Sequence, residues 1–106
     1  MLVKMGVDIS RLNREARRSL EIVEREFNLY SLEAVITSTY EGDHMVSSLH
    51  YANDAYGIRK PPHSITLILE SIRRDLGKDF DVVMESDHYH IEYDPKKKRP
   101  IQRGTV

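Results

Sequence analysis

The 106-residue sequence contains no cysteine and no tryptophan. Without cysteine, neither disulfide bonds nor thiolate-ligated zinc sites can form, so a metal ion would have to be held by His, Asp or Glu. The absence of disulfides also fits a reducing compartment. No apolar run approaches the roughly 20 residues needed to cross a bilayer. Residues 1–7 are too short and too soon polar for a secretory signal, so we expect a protein that is cytoplasmic at synthesis.

An excess of charge of one sign is also missing, because the net charge is -1 although 31% of residues are charged. Such a chain has no strong field to attract nucleic acid or a membrane, and we predict neither as a partner. The length and the 40% hydrophobic content predict one domain with one core, over residues 1–95, assumed to be a monomer. Residues 96–106 begin with Lys96-Lys97-Lys98-Arg99 and are expected to form a basic, solvated, mobile tail.

Apolar spacing predicts two helices. The first is capped by Ser10 and runs to about Asn28, with one apolar face made of Leu12, Ala16, Leu20, Val23 and Phe27. The second is capped by Ser64 and ends at Gly77, with an apolar face made of Ile65, Ile68, Leu69, Ile72 and Leu76.

Four segments are rich in β-branched and aromatic residues or alternate in polarity, and they predict strands at 33–40, 49–58, 80–84 and 88–93. Asn53-Asp54 predicts a bend within the second segment. Ser86-Asp87 is a short connection, so the last two segments are expected to form a hairpin. The predicted fold class is therefore α+β, with two helices packed on a small, mainly antiparallel sheet.

Four of the five histidines form two clusters, His44 with His50 and His88 with His90, each beside carboxylates. Imidazole is well suited to bind zinc or to transfer protons near neutral pH. Side chains two apart on a strand share a face, so His88 and His90 should project the same way. That pair alone is more typical of two surface histidines. The presence of the second cluster favours a metal site.

Three pieces of sequence form a spaced set: Ser48-Leu49-His50-Tyr51, Ala55, and His88-Tyr89-His90. This set resembles the D-alanyl-D-alanine carboxypeptidase-like zinc peptidases, which include small bacterial and phage murein peptidases. Together with Glu41-Gly42, His44 and Glu85-Ser86, it also resembles the metal-binding half of the Hedgehog signalling domain, which shares that fold. The resemblance covers about residues 35 to 93 and implies a Hedgehog/DD-peptidase-like fold.

The resemblance implies a Zn²⁺ ion with three protein ligands and an exchangeable water. His50 matches the first ligand and His90 the last. A catalytic acid closely precedes the last ligand in such proteins, and both Glu85 and Asp87 satisfy this spacing. The choice between these two carboxylates stays open.

Further pocket residues are implied in the same way. His44 and His88 match residues that line the pocket, where they would stabilise an oxyanion or relay protons, and Ser48 is expected to bind substrate.

The middle ligand of the family is an aspartate seven residues after the first histidine, and this chain has Gly57 there. Because glycine has no side chain, it cannot coordinate a metal ion. The site would be degenerate, or His44 or Asp54 would replace the carboxylate, Asp54 only through a strand bulge. A third explanation is a substitution relative to an active parent. Without any metal, Gly57 reads as a strand glycine that permits a bulge or a close backbone approach.

The function these observations favour is a zinc-dependent peptidase that hydrolyses amide bonds of murein-type peptides containing D-amino acids. Its partner would be a peptidoglycan peptide, and the resemblance suggests a phage-encoded protein acting on the cell wall. The alternative is a catalytically inactive binding domain on the same fold. A third interpretation has no metal and treats every histidine as incidental.

Overall fold

The computed structural model describes residues 1–39 and 54–95. Within these ranges, two α-helices pack on a five-stranded mixed sheet, so the α+β class is confirmed. The elements are β1 (Leu2–Val3), α1 (Arg14–Asn28), β2 (Val35–Ser38), β3 (Ala55–Arg59), α2 (Ile65–Leu76), β4 (Phe80–Met84) and β5 (His88–Tyr93). The predicted tail, 96–106, and three predicted site residues, His44, Ser48 and His50, lie outside the described residues.

The strands lie side by side in the order β1-β2-β3-β5-β4. β1 runs parallel to β2, whereas the β2–β3, β3–β5 and β5–β4 pairs are antiparallel, which agrees with the predicted mainly antiparallel sheet. β4 and β5 form the predicted hairpin. β1 was not predicted from the sequence, because a two-residue strand is too short to show a period.

Both helices cover one face of the sheet. The five residues predicted for the apolar face of α1 are all buried, and Val23 and Phe27 are 0% and 1% exposed. From α2, Ile68, Leu69 and Ile72 join the same core, together with strand residues that include Tyr89. Phe27 meets the ring of Tyr89 edge-on, with centroids 6.3 Å apart. The apolar stripes on both helices therefore predicted which surfaces become the core.

Strand alternation assigns the remaining side chains to the opposite face. Tyr56, Ile58, Tyr89 and Ile91 belong to the buried core. Since successive side chains of a strand point to opposite faces, the intervening residues of β3 and β5 point away from the helices. These residues are Ala55, Gly57, Arg59, His88, His90 and Glu92. Most of the candidate chemistry in the described chain therefore lies on one sheet face.

The start of α1 differs from the prediction. Ser10 lies in a short 3₁₀ helix, Ile9–Arg11, where its backbone and hydroxyl both donate to the Asp8 carboxylate. The α-helix begins three residues further on, and Asn13 caps it by accepting a hydrogen bond from the backbone NH of Ala16 at 2.9 Å. Asn is as good an N-cap as Ser, so composition alone did not separate the two positions.

The termini of α2 agree more closely with the sequence. Ser64 occupies the N-cap position, although its backbone is left-handed and its side chain makes no capping hydrogen bond. Gly77 ends the helix with φ of 83°, a conformation that glycine adopts readily. Neither α1 nor α2 is long and apolar enough to cross a membrane, and no other described helix is.

Candidate functional site

Gly57 and His90 are direct partners in the β3–β5 ladder. Directly opposed residues on antiparallel strands point to the same face, and their Cβ positions lie roughly 5 Å apart. The position that the resemblance assigns to the middle zinc ligand is therefore the cross-strand neighbour of the residue assigned to the last ligand. These two positions are 33 residues apart in sequence, and the sheet register brings them together.

The space above Gly57 is already occupied by its neighbours. A Cβ atom built on Gly57 would lie 2.8 Å from Oγ of Ser38, 3.2 Å from Oγ1 of Thr37 and 3.2 Å from Cδ2 of His88. The first distance is below any normal van der Waals contact. The β2–β3 register shifts between Ile36 and Ser38, which brings both Thr37 and Ser38 against this position. The irregular strand pairing expected at this glycine is therefore present on the β2 side, and the atoms that approach Gly57 belong to side chains.

His90 is held by a carboxylate on its own strand. Its Nε2 lies 3.1 Å from Oε1 of Glu92, and the imidazole side chain is 37% exposed. Metal-binding histidines commonly donate their second ring NH to a carboxylate, which sets the tautomer and the ring orientation. With Nε2–H donated to Glu92, Nδ1 of His90 is the ring atom left to bind a metal ion.

Asp87 and His88 form a second carboxylate–imidazole pair. Nδ1 of His88 donates to Oδ1 of Asp87 at 2.8 Å. This hydrogen bond lowers the pKa of the Asp87 carboxyl group, so Asp87 is ionised at neutral pH. The contact also orients the ring of His88, as a carboxylate does in a catalytic dyad.

The turn that carries Glu85 and Asp87 is tied to the end of β3. The backbone NH of Glu85 bonds to the carbonyl of His88 at 2.8 Å and closes the hairpin. Lys60 donates its backbone NH to the carbonyl of Asp87 and its Nζ to the carbonyl of Ser86. Both candidate acids therefore belong to a restrained turn beside β3, and Glu85 itself is exposed.

The Asp54 side chain forms a hydrogen bond at a distance from the Gly57–His90 pair and the hairpin turn. Its Oδ1 accepts a hydrogen bond from Nδ2 of Asn13, the residue that caps α1. Asp54 precedes Tyr56 by two residues, and side chains two apart along a strand share a face. Tyr56 belongs to the core on the helix-covered face. The structure therefore brings Asp54 to the start of α1, whereas Gly57 and His90 share the other face.

A surface cavity of about 380 Å³ lies on the same face as His88. Its lining was not expected from the sequence, apart from the hairpin residues. It consists of Lys4, Thr37, Arg59, Asp87 and His88, drawn from the neighbourhood of four adjacent strands. Because Arg59 and Gly57 are two residues apart on one strand, the sequence could have placed Arg59 on the face of Gly57. It gave no signal for Lys4 and Thr37, which are distant in sequence.

Of the two zinc ligands that the resemblance implies, His90 lies within the described residues. His90 has a suitable donor atom and a supporting carboxylate, whereas position 57 supplies no ligand. Within residues 1–39 and 54–95, no group of three or more His, Cys, Asp or Glu side chains is arranged to hold a metal ion. A three-ligand site would thus have to include His, Asp or Glu side chains of the 40–53 segment.

No family model, curated protein or solved structure matches the chain.

Proposed function

We propose that this protein is a zinc-dependent peptidase on a Hedgehog/DD-peptidase-like fold, which hydrolyses amide bonds in murein-type peptides that contain D-amino acids. One observation carries the proposal: position 57 lies directly opposite His90, on the sheet face that also holds the Asp87–His88 pair. The spacing of the histidines suggested a shared site, and the pairing of Gly57 with His90 supports that proposal.

His90 and His50 would hold the zinc ion, and Nδ1 of His90 would be the donor atom, because Nε2 is hydrogen-bonded to Glu92. The contact between Asp54 and Asn13 favours His44 over Asp54 as the replacement for the lost aspartate. A bound zinc ion would lower the pKa of its water to about 7 and polarise the substrate carbonyl.

Side chains of the protein carry out the proton transfers. Asp87 or Glu85 takes a proton from the attacking water and passes it to the leaving amine. Asp87 is ionised at neutral pH and is hydrogen-bonded to His88, so it can also act by orienting that imidazole. In that arrangement, Nε2 of His88 accepts and relays a proton when the ring is neutral, and it donates to the developing oxyanion once the ring carries both protons. Ser48 contacts the substrate.

The test combines metal analysis with hydrolysis of purified murein. We expect about one zinc per chain, lost on His50→Ala or His90→Ala and kept in His63→Ala. His63 is the matched control, because it is exposed, lies outside both clusters and bonds only to the adjacent Ser64 hydroxyl in the described chain. Asp87→Asn and Glu85→Gln, compared for rate at full zinc occupancy, identify the general base.

A second candidate function is a non-catalytic murein-peptide-binding domain on the same fold. The observation favouring it is the crowding of position 57 by Ser38, Thr37 and His88, which leaves no room for a ligand there. The double variant Gly57→Asp/Ser38→Ala separates the two, since Ser38→Ala removes the closest atom.

The outcomes of this comparison are distinct. Zinc binding and hydrolysis by the unmodified chain support the peptidase. Peptide binding without turnover in the unmodified chain, with hydrolysis appearing in the double variant, supports the binding domain. Absence of both zinc and cleavage in the two proteins would refute the peptidase proposal.

A further inference from the structure

β4 is an edge strand of the described sheet, and its backbone polar groups alternate between β5 and the outside of the sheet. The backbone NH of Glu85 bonds to the carbonyl of His88, so these two residues are a hydrogen-bonded pair of the β4–β5 ladder. Such pairs alternate along an antiparallel ladder. The residues of β4 whose NH and carbonyl groups point away from β5 are therefore Phe80, Val82 and Met84.

Helix α2 covers the first part of this edge, and Arg73 makes the main contact. Its Nε and Nη2 donate to the carbonyl oxygen of Val82 at 2.9 and 2.8 Å. Its Nη1 lies 2.9 Å from Oε2 of Glu70, one turn earlier, which holds the guanidinium in place. The backbone NH of Phe80 bonds to the carbonyl of Gly77 at 3.3 Å. The outward acceptor at the centre of β4 is thus already occupied.

The rest of the edge is open within the part of the chain that the structure describes. There, no group bonds to the NH of Val82, or to the NH or carbonyl of Met84. The apolar side chains of Val83 and Met84 are 43% and 41% exposed. β4 has one charged residue, Asp81, and neither proline nor glycine. Such a strand pairs readily with another strand unless its edge is covered.

The sequence of β4 is self-complementary in one antiparallel register. With a two-fold axis at Val82, Phe80 lies opposite Met84 of a second copy, and Asp81 lies opposite Val83. The outward-pointing groups then form hydrogen-bonded pairs, and no like charges within β4 are opposed. An axis at Asp81 would instead place the two Asp81 carboxylates opposite each other. The best register therefore needs the Val82 carbonyl, which is the atom that Arg73 binds.

We propose that Arg73 guards a latent dimer interface, because its guanidinium holds the Val82 carbonyl and prevents β4 from pairing with β4 of a second copy of this chain. Once the guanidinium is removed, the two edges join in an isologous contact, and the two sheets become one. This guard acts on assembly and is independent of the proposed peptidase activity.

Sedimentation equilibrium of the purified full chain measures the dimer dissociation constant. Dimerisation of the unmodified chain would break the Arg73–Val82 contact in both copies. We therefore expect Arg73→Met to lower the dissociation constant about a hundredfold, roughly tenfold for each charge-assisted contact that no longer has to be broken. Arg73→Lys keeps one charged donor and should have an intermediate value. The matched control is Arg74→Met, since Arg74 pairs with Asp75 and should leave the dissociation constant unchanged.

Two substitutions at Val83, each combined with Arg73→Met, test the register. An aspartate at position 83 would face Asp81 of the second copy, and we expect it to restore the monomer. A lysine there would face the same carboxylate with opposite charge, so the dimer should persist. Both substitutions remove the same exposed valine, which makes each the control for the other. In the dimer, the backbone amides of Val82 and Met84 should exchange with deuterium more slowly than in the monomer.

Several results would overturn the assignment. These are a folded Arg73→Met chain that stays monomeric, an unmodified chain that dimerises as tightly, an equal effect of Arg74→Met, or a dimer that the two substitutions at Val83 change alike. Association that dilution does not reverse, without slower exchange at Val82 and Met84, would also overturn it, because it would indicate aggregation of unfolded chains. If Arg73→Met does not fold, Arg73→Lys decides, since a dissociation constant equal to that of the unmodified chain would contradict the guard.

Discussion

The hydroxyl oxygen of Ser38 lies 2.8 Å from the point where a side chain at Gly57 would begin. An added methyl group there would displace Ser38 and press on Thr37 and His88. Although Gly→Ala changes often stabilise a strand, we expect Gly57→Ala to lower the free energy of unfolding by about 1–3 kcal/mol, the usual cost of overpacking. Urea denaturation of the purified variant measures this change.

Ser38→Ala provides the control for that prediction. It removes the nearest atom, so the double variant should recover part of the lost stability, and a double-mutant cycle should show favourable coupling of about 0.5 kcal/mol or more. If Gly57→Ala is as stable as the unmodified chain, the three neighbouring side chains move aside without a cost in free energy.

Asn13 has two separable contacts at the start of α1. Its side-chain oxygen caps the helix and its amide nitrogen donates to Asp54. We expect Asn13→Ala to cost about 1–2 kcal/mol of unfolding free energy. Asn13→Ser keeps a capping oxygen but not the amide donor, so its smaller loss reports the Asp54 contact alone. Equal losses in thermal or chemical denaturation would show that capping contributes little here.

Glu26 is 2% exposed and hydrogen-bonded to Asp75, across the contact between α1 and α2. Burial raises the pKa of Glu26, with the Asp75 carboxylate adding to the effect. A raised pKa in the folded state means that the protonated form stabilises the fold. That contribution is complete below the unfolded pKa, which is near 4.5, and is lost as the pH rises through the folded value.

We therefore expect Glu26→Gln to be more stable than the unmodified chain at pH 8, by about 1 kcal/mol, because glutamine keeps a donor toward Asp75 without a buried charge. At pH 5 the difference should be smaller. Denaturant unfolding at both pH values gives the comparison, and the exposed Glu21→Gln on the same helix is the control. A stability gain that does not grow with pH would contradict this account of Glu26.

Arg73 of α2 binds the carbonyl oxygen of Val82 on β4, an edge strand of the described sheet, through Nε at 2.9 Å and Nη2 at 2.8 Å. We expect Arg73→Met to lower the free energy of unfolding by about 1–2 kcal/mol, because a charge-assisted contact is lost. The exposed helix residue Arg18 supplies the control, and Arg18→Met should stay within about 0.5 kcal/mol of the unmodified chain. Similar losses in both variants would assign the effect to helix propensity.

Local periodicity in the sequence was sufficient to predict much of the fold. The stripe from Leu12 to Phe27 predicted the buried face of α1, and the alternation around Tyr89 and Ile91 predicted that His88 and His90 share a face. The prediction that Ser10 caps α1 was wrong. Ser10 and Asn13 are both good caps, and the choice between them depends on the turn that precedes the helix.

Sequence by itself therefore determined the fold class, the core-facing residues and the common orientation of two histidines, since each depends on residues a few positions apart. Tertiary structure alone decided that Gly57 pairs with His90, that Ser38 fills the space above Gly57, and that Lys4 and Arg59 line one cavity. Those relationships depend on strand order and register across distant segments. Local alternation decides which face of the sheet a side chain takes, but it does not decide which strands are neighbours or which residues pair, because a slip of two residues leaves every side chain on the same face.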